Sequence, residues 1–203
     1  MAGMKLVILD RDGTINADSD EFIKSPDEWQ PLPGALEAIA RLNHAGIHTV
    51  VACDQSGLGR GLFDVASLNA IQSKMHKALA AVGGRIDAFF YCPHGPEESC
   101  LCRLPQTGLF EQIGDRYGLE LGDAFICSDK ALHLQAGAAA GGEPHLVRTG
   151  QAAALAEGEA LSPAYPDGTR VHANLGAFAD WLIARDALAT AVGANASGDR
   201  QAE

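Results

Sequence analysis

Residues 6–16 read LVILDRDGTIN. Lys5–Leu9 carries a short, continuous apolar run, the pattern of a strand buried on both faces. That strand delivers two carboxylates, Asp10 and Asp12, separated by a single residue. The chain then turns at Gly13, with Thr14 and Asn16 as small polar capping groups. Carboxylates this close repel, so they need a cation or a shared proton. A hard Mg²⁺, held through carboxylates and a phosphate oxygen, suits them. Asp10 is then placed as a nucleophile on phosphorus, forming an aspartyl-phosphate. Asp12 is placed to protonate the leaving oxygen and later to take a proton from water. The same residue types also build ordinary acidic turns.

Working outward, short β-like runs alternate with helical ones. Gly34–Ala45 puts Leu36, Ile39, Ala40 and Leu42 at helical spacing before Gly46. His48–Cys53 reads as a strand. Asp64 reads as the N-cap of a helix with Leu68, Ile71, Met75, Ala78, Leu79 and Val82 on its apolar face. Asp87–Tyr91 is a strand, Thr107–Tyr117 a helix and Ala124–Cys127 a strand. An Ala-rich helix then runs through Ala140, and Pro144–Val147 is the fifth strand. Residues 150–170 look loop-rich, and a last amphipathic helix is expected around Gly176–Arg185. The alternation predicts an α/β fold, a central parallel sheet with helices on both faces. Residues 1–186 read as one domain and residues 187–203, small and polar, as a disordered tail. Ligands of such sheets bind at the carboxyl ends of the strands. That rule selects Asp10–Asn16, Cys53–Gly57, Cys92–Pro105 and Ser128–His133.

The chain has 203 residues, 47% of them hydrophobic, so a sizeable core is available and disorder throughout is excluded. Fifteen Lys and Arg against 26 Asp and Glu leave a formal charge of −11. No basic stripe offsets that field, which argues against nucleic-acid binding. No apolar run is long enough to span a membrane, and the N-terminus lacks the layout of a signal peptide, so a cytoplasmic monomer is expected. Three of the five cysteines, Cys92, Cys100 and Cys102, cluster beside His94. Three thiolates and an imidazole in C-x-H-x5-C-x-C form a closed set for structural Zn²⁺. Free thiols in a flexible loop are the alternative. In CDQSG, backbone N–H groups and Ser56 are placed to hold phosphate oxygens, with Arg60 in reach as a bidentate donor or as a solvated arginine. The scattered His44, His48, His76, His145 and His172 carry no motif, and Trp29 reads as packing.

DxDGTxN after a first strand resembles the haloacid dehalogenase superfamily of phosphotransferases. CDQSGLGRG (53–61) resembles the TNQSGxxRG signature of one branch, CPHGPEESCLCRLP (92–105) its CPHxP…CxCRKP zinc loop, and SDKALHLQ (128–135) its GDxxxDxQ segment. That branch contains D-glycero-D-manno-heptose 1,7-bisphosphate 7-phosphatases and histidinol-phosphate phosphatases. The resemblance covers residues 4–185, and the GTIN and CPHGP wording leans toward the heptose enzymes. It implies a three-layer Rossmann-like fold, and Mg²⁺ on Asp10, Asp12 and Asp129. It also implies Zn²⁺ on Cys92, His94, Cys100 and Cys102. Phosphate or substrate contacts are implied for Cys53, Asp54, Gln55, Ser56, Arg60, Arg103 and Lys130. The implied reaction is Mg²⁺-dependent removal of the 7-phosphate of a small phosphorylated sugar, in nucleotide-heptose supply for lipopolysaccharide or capsule. Histidinol phosphate is the alternative substrate.

The departures fall on active positions. Cys53 stands where the resembling enzymes carry Ser or Thr, Asp54 where they carry Asn, Leu104 where they carry Lys, and His133 where they carry Asp. One missing electrostatic group costs about 10²–10³ in rate. A catalytically weak phosphosugar- or partner-binding protein on the same scaffold is therefore the competing expectation.

Overall fold

The computed structural model describes residues 4–198, with side chains through residue 188. Strand β1 (Leu6–Leu9) is buried at every position. It pairs in parallel on one edge with β2 (His48–Asp54), Ile8 opposite Val50, and on the other with β4 (Ala124–Ser128), Ile8 opposite Ile126. A strand enclosed on both edges and both faces has no polar side, which is why its sequence does not alternate. Strand β3 (Ala88–Cys92) extends the sheet beyond β2, while β5 (Glu143–Val147) and β6 (Arg170–His172) extend it beyond β4. The order β3-β2-β1-β4-β5-β6 reverses direction at β1. The carboxyl ends of β1 and β4 therefore flank the switch point, the place where ligands of open α/β sheets bind.

Alternate residues of β1 feed two cores. Val7 and Leu9 pack with α1 (Ala35–His44), α3 (Val65–Ala81) and α6 (Leu175–Gly198). Leu6 and Ile8 pack with α4 (Gly108–Tyr117) and α5 (Ala131–Ala139) on the opposite face. A short α2 (Ser56–Gly59) follows β2. Asp64 caps α3 as expected, its carboxylate accepting the Ser67 N–H at 2.8 Å. Among the described residues no helix is long and apolar enough to cross a membrane.

Two elements differ from the sequence reading. Strand β6 starts at the last residue of the stretch expected to be loop, just before the expected last helix, and joins the end of the sheet. Two of its three residues are exposed, so no apolar run announces it. Helix α6 continues through Gly198, past the expected end at Arg185 and into the stretch read as a tail. Alanine is the strongest helix former, so ALATA propagates a helix that packing has already nucleated. The rest of that stretch, 199–203, lies outside the described residues.

Between β5, β6 and α6 sits a histidine pair. His145 Nδ1 and His172 Nε2 are 3.0 Å apart, packed against Phe178 and Trp181. Burial, then His172 and the nearby arginines, push His145 down to about 3; burial and Arg170 push His172 down to about 4. The unfolded chain binds these protons near pH 6.5, and the folded chain does not. Stability contributed by the neutral pair is thus present above about pH 6.5 and lost progressively as pH falls from there toward the folded values of about 4 and 3. The urea midpoint is expected to drop between about pH 6.5 and 5, and to drop less in His145→Phe. An equal drop in both proteins would place the acid sensitivity elsewhere.

Candidate active site

The turn after β1 arranges its two carboxylates differently. Asp10 is 2% exposed, its backbone N–H bonded to the Cys127 carbonyl at 3.1 Å. Asp10 Oδ1 accepts the Arg11 N–H at 2.7 Å. Asp10 Oδ2 faces the Lys130 Nζ at 3.3 Å and the Ser128 hydroxyl at 3.4 Å. Asp12 turns the other way. The buried Arg11 guanidinium donates Nε to Oδ1 at 2.8 Å and Nη2 to Oδ2 at 2.7 Å, and Asn16 adds a bond of 2.9 Å to Oδ1. Although burial opposes it, Arg11 and then Lys130 hold the Asp12 carboxyl below its ordinary range. The Asp12 carbonyl oxygen, rather than its carboxylate, faces the cleft and accepts from Lys130 Nζ at 2.7 Å.

From β4 comes Asp129, fully buried. Thr14 donates to its Oδ1 at 2.9 Å and the Gln151 N–H to its Oδ2 at 2.9 Å. Burial and then Asp10 push this carboxyl up to about 6. Gly13, at φ +86°, brings the turn so close to Asp129 that a Cβ there would overlap the carboxylate. Thr149 and Gln151 lie on the segment after β5. The rule that sites gather at strand carboxyl ends extends to this segment, although its sequence carries no motif.

A cleft of about 190 Å³ opens here, lined by Asp10, Asp54, Leu104, Lys130, Ala131, Leu132 and Gln151. Burial pushes the Asp54 carboxyl up to about 6. Burial likewise pushes the Cys53 thiol up to about 12, so it is neutral at pH 7. Gln55 is buried and donates to the Asp54 carbonyl at 2.8 Å; Ser56 starts α2. Arg60 is exposed beside these residues, 5.5 Å over the Phe22 ring. His133 does not reach the cleft: it is fully buried beneath the sheet, Nε2 at 2.8 Å from the Ala52 carbonyl, and held neutral by burial. A larger depression of about 310 Å³ lies at the opposite end of the sheet, where Lys5 pairs with Asp186 and Glu143 with Arg185.

The residues present fit a hard divalent cation. Two carboxylates, Asp10 and Asp129, meet from adjacent strands where burial, and then their mutual repulsion, raise the Asp129 carboxyl. An ammonium, itself a cation, is already held by Asp10 and the Asp12 carbonyl.

Beyond β3, the ligand atoms of Cys92, His94, Cys100 and Cys102 lie within 4.8 Å of one another. Cys92 Sγ is 3.4 Å from His94 Nδ1, 3.1 Å from Cys102 Sγ and 3.7 Å from Cys100 Sγ. Tetrahedral zinc would set such donors about 3.5–3.8 Å apart, which the His94 and Cys100 distances already approach and the Cys102 distance falls short of. Arg103 donates to the carbonyls of Gly95, Pro96 and Glu98, lacing this loop together, and its charge also favours the Asp54 carboxylate on the cleft wall. A Cβ at Gly59 would strike the backbone of His94 and Gly95, so glycine there lets α2 lie against the loop.

A parallel sheet with an aspartate ending its central strand, faced by Asp129 and an ammonium, defines a member of the haloacid dehalogenase superfamily. No family model matches the chain. Curated relatives place it more narrowly. It is 52% identical over 181 residues to the D-glycero-beta-D-manno-heptose-1,7-bisphosphate 7-phosphatase of Bordetella bronchiseptica, covering 89% of this chain and 98% of that protein. It is 42% identical over 178 residues to the enzyme of that name from Pseudomonas aeruginosa, covering 88% and 97%. The crystal structure of the B. bronchiseptica D,D-heptose 1,7-bisphosphate phosphatase, complexed with magnesium and phosphate, superposes with a TM-score of 0.83 over 90% of this chain and 99% of that one. The chain belongs to the D-glycero-beta-D-manno-heptose-1,7-bisphosphate 7-phosphatase family.

Protein purified without added metal is expected to carry one Zn²⁺ per chain by elemental analysis, and Cys100→Ser to lose most of it. Chelation should expose Glu97–Ser99 to protease, because no apolar side chain anchors those residues. Metal-free protein with reduced thiols and a protected loop would contradict the assignment.

Proposed function

We propose that the protein is a Mg²⁺-dependent phosphatase that removes the 7-phosphate of D-glycero-D-manno-heptose 1,7-bisphosphate, acting in the cytoplasm as a monomer. Asp10 carries the reading. It is a buried carboxylate at the end of the central strand, with one oxygen held by a backbone N–H and the other aimed with Lys130 into the cleft. Its relatives' names supply the substrate.

Asp10 attacks phosphorus, the bond to the sugar oxygen breaks, and the phosphoryl group rests on Asp10. Asp12 supplies the leaving oxygen's proton once its carboxylate leaves Arg11 and takes up a proton. The ionised carboxylate that Arg11 favours then takes a proton from the water that attacks phosphorus, the bond to Asp10 breaks, and phosphate leaves with Asp10 restored. Lys130 faces the charge that develops on the phosphoryl oxygens. Asp10, Asp129 and the Asp12 carbonyl are the groups that would hold Mg²⁺, which would supply charge neutralisation there. Zn²⁺ in the Cys3His loop is structural, with no ligand position left open. Arg60, exposed at the rim, is the arginine placed for the sugar's other phosphate, since Arg103 is engaged within the zinc loop.

Asp10→Asn is expected to abolish phosphate release from the bisphosphate in the presence of Mg²⁺ while leaving the circular dichroism unchanged; wild-type rates in that variant would exclude Asp10 as nucleophile. A wild-type protein that binds the bisphosphate without turnover would instead select the binding-protein reading. Equal rates on histidinol phosphate would remove the heptose preference.

Leu104 and Lys130 line the same cleft. Lys130→Met should lower turnover by about 10²–10³, the worth of one placed electrostatic group. Adding Leu104→Lys should recover at least about tenfold, because the cation returns from the opposite wall. A double variant as slow as the single one would mean that Leu104 does not address the phosphate.

A further inference from the structure

The observation is where the ammonium sits. Lys130 Nζ lies 2.7 Å from the Asp12 carbonyl oxygen and 3.3 Å from Asp10 Oδ2, with Asp18 Oδ2 at 3.5 Å on the outer side. The first two are oxygens that the proposed magnesium would use. The backbone of Lys130 is fixed, its N–H donating to Ser128 Oγ at 2.9 Å at the start of α5. Only the flexible four-carbon stem can move the charge. Its side chain is 22% exposed and Asp18 29% exposed, so the route outward is open.

We propose that the Lys130 ammonium is an intramolecular competitor of Mg²⁺: it holds the Asp10 and Asp12 oxygens together before the metal enters, and yields them to it by moving toward Asp18 and the incoming phosphate. This rests on the magnesium-dependent reading above. The physical reason is charge. Before a divalent cation arrives, Asp10 and Asp129 repel across a buried gap, and the nearest cation relieves that repulsion. Once Mg²⁺ sits on the same oxygens, an ammonium there would be a like charge in direct contact in a poorly screened site. Asp18 gives it an anionic partner a short swing away, and a phosphate entering beside Asp10 gives it another. Lys130 is thus a positioning residue for the metal as well as a partner of the substrate. Its removal should tighten metal binding although it slows the reaction.

That opposition is the test. Mn²⁺ is titrated into the full-length protein without phosphate or substrate, free Mn²⁺ being read by electron paramagnetic resonance, for wild type, Lys130→Met and Lys130→Gln. Circular dichroism checks that each is folded. Both variants are expected to bind Mn²⁺ at least about tenfold more tightly than wild type, the sign expected when a like charge leaves the site. A lysine with a merely structural role would leave the affinity unchanged or weaken it. Unchanged or weaker binding in two folded variants, with wild-type turnover on the bisphosphate intact, overturns the competition and leaves the phosphatase reading standing. Failure of all three proteins to bind Mn²⁺, together with metal-independent turnover, overturns both.

Discussion

Crowding of negative charge at one end of a sheet governs this molecule. Asp10 and Asp129 end adjacent strands, Asp12 sits two residues on, and Asp54 closes the next strand over. Four ionised carboxylates at that spacing in a buried place repel by more than a fold of marginal stability can absorb. Each is handled separately. The buried Arg11 takes Asp12 in a two-point ion pair. Lys130 reaches Asp10. Asp129 accepts bonds from Thr14 and Gln151, yet burial and then Asp10 push its carboxyl up to about 6, as burial does for Asp54. Deleting either cation would strand a charge, which costs more than the pair itself contributes. The strand order, with its reversal at β1, brings these groups together without a long connection through the core.

The loop that carries Cys92, His94, Cys100 and Cys102 bears on the same cleft from outside. Cys92 ends β3 opposite Asp54, and its carbonyl accepts the Gln55 N–H at 2.8 Å. A loop with few apolar residues cannot order itself by burial, so its ligands and Arg103 must do so. What they position is Leu104, on the cleft wall, whose backbone N–H bonds to the Asp54 carboxyl. The metal-binding loop thus acts on the reacting centre at a distance, through one strand pair and one backbone bond.

Much of this was legible in the sequence, for physical reasons that differ by element. Strand β1 is unalternating because it is enclosed on both faces, and the helices show their apolar spacing because each buries one stripe. The cysteine cluster is legible because soft donors at short spacing have few other uses. Side-chain direction was not. Nothing in LDRDG says that Arg11 turns inward to hold Asp12, leaving the Asp12 carbonyl to face the cleft. Arg103 follows a zinc ligand and looks free for phosphate, yet three carbonyls of its own loop lie nearer. Lys130 was visible beside Asp129, but its grip on Asp10 depends on a stem crossing from β4 to β1. Strand β6 and the far end of α6 depend on neighbours rather than on their own residues.

The replacements at Cys53 and Leu104 weigh less heavily in three dimensions than in one. Cys53 is buried under the turn with its thiol neutral, so it adds no charge against phosphate, and Gln55 Nε2 approaches its sulfur at 3.6 Å. What is lost there is one hydroxyl donor, a neutral hydrogen bond of about 0.5–1.5 kcal/mol. Leu104 removes a full charge, but the cleft is narrow enough that Lys130 stands across it from the same Asp10. His133 falls outside the site altogether. The altered motif positions therefore leave the proposed nucleophile Asp10 and the Lys130 ammonium lining one cleft, with the Asp129 carboxylate buried beside them. In the proposed reaction, the electrostatic work that two lysines could share would rest on one ammonium, held by Asp10 and the Asp12 carbonyl in this structure.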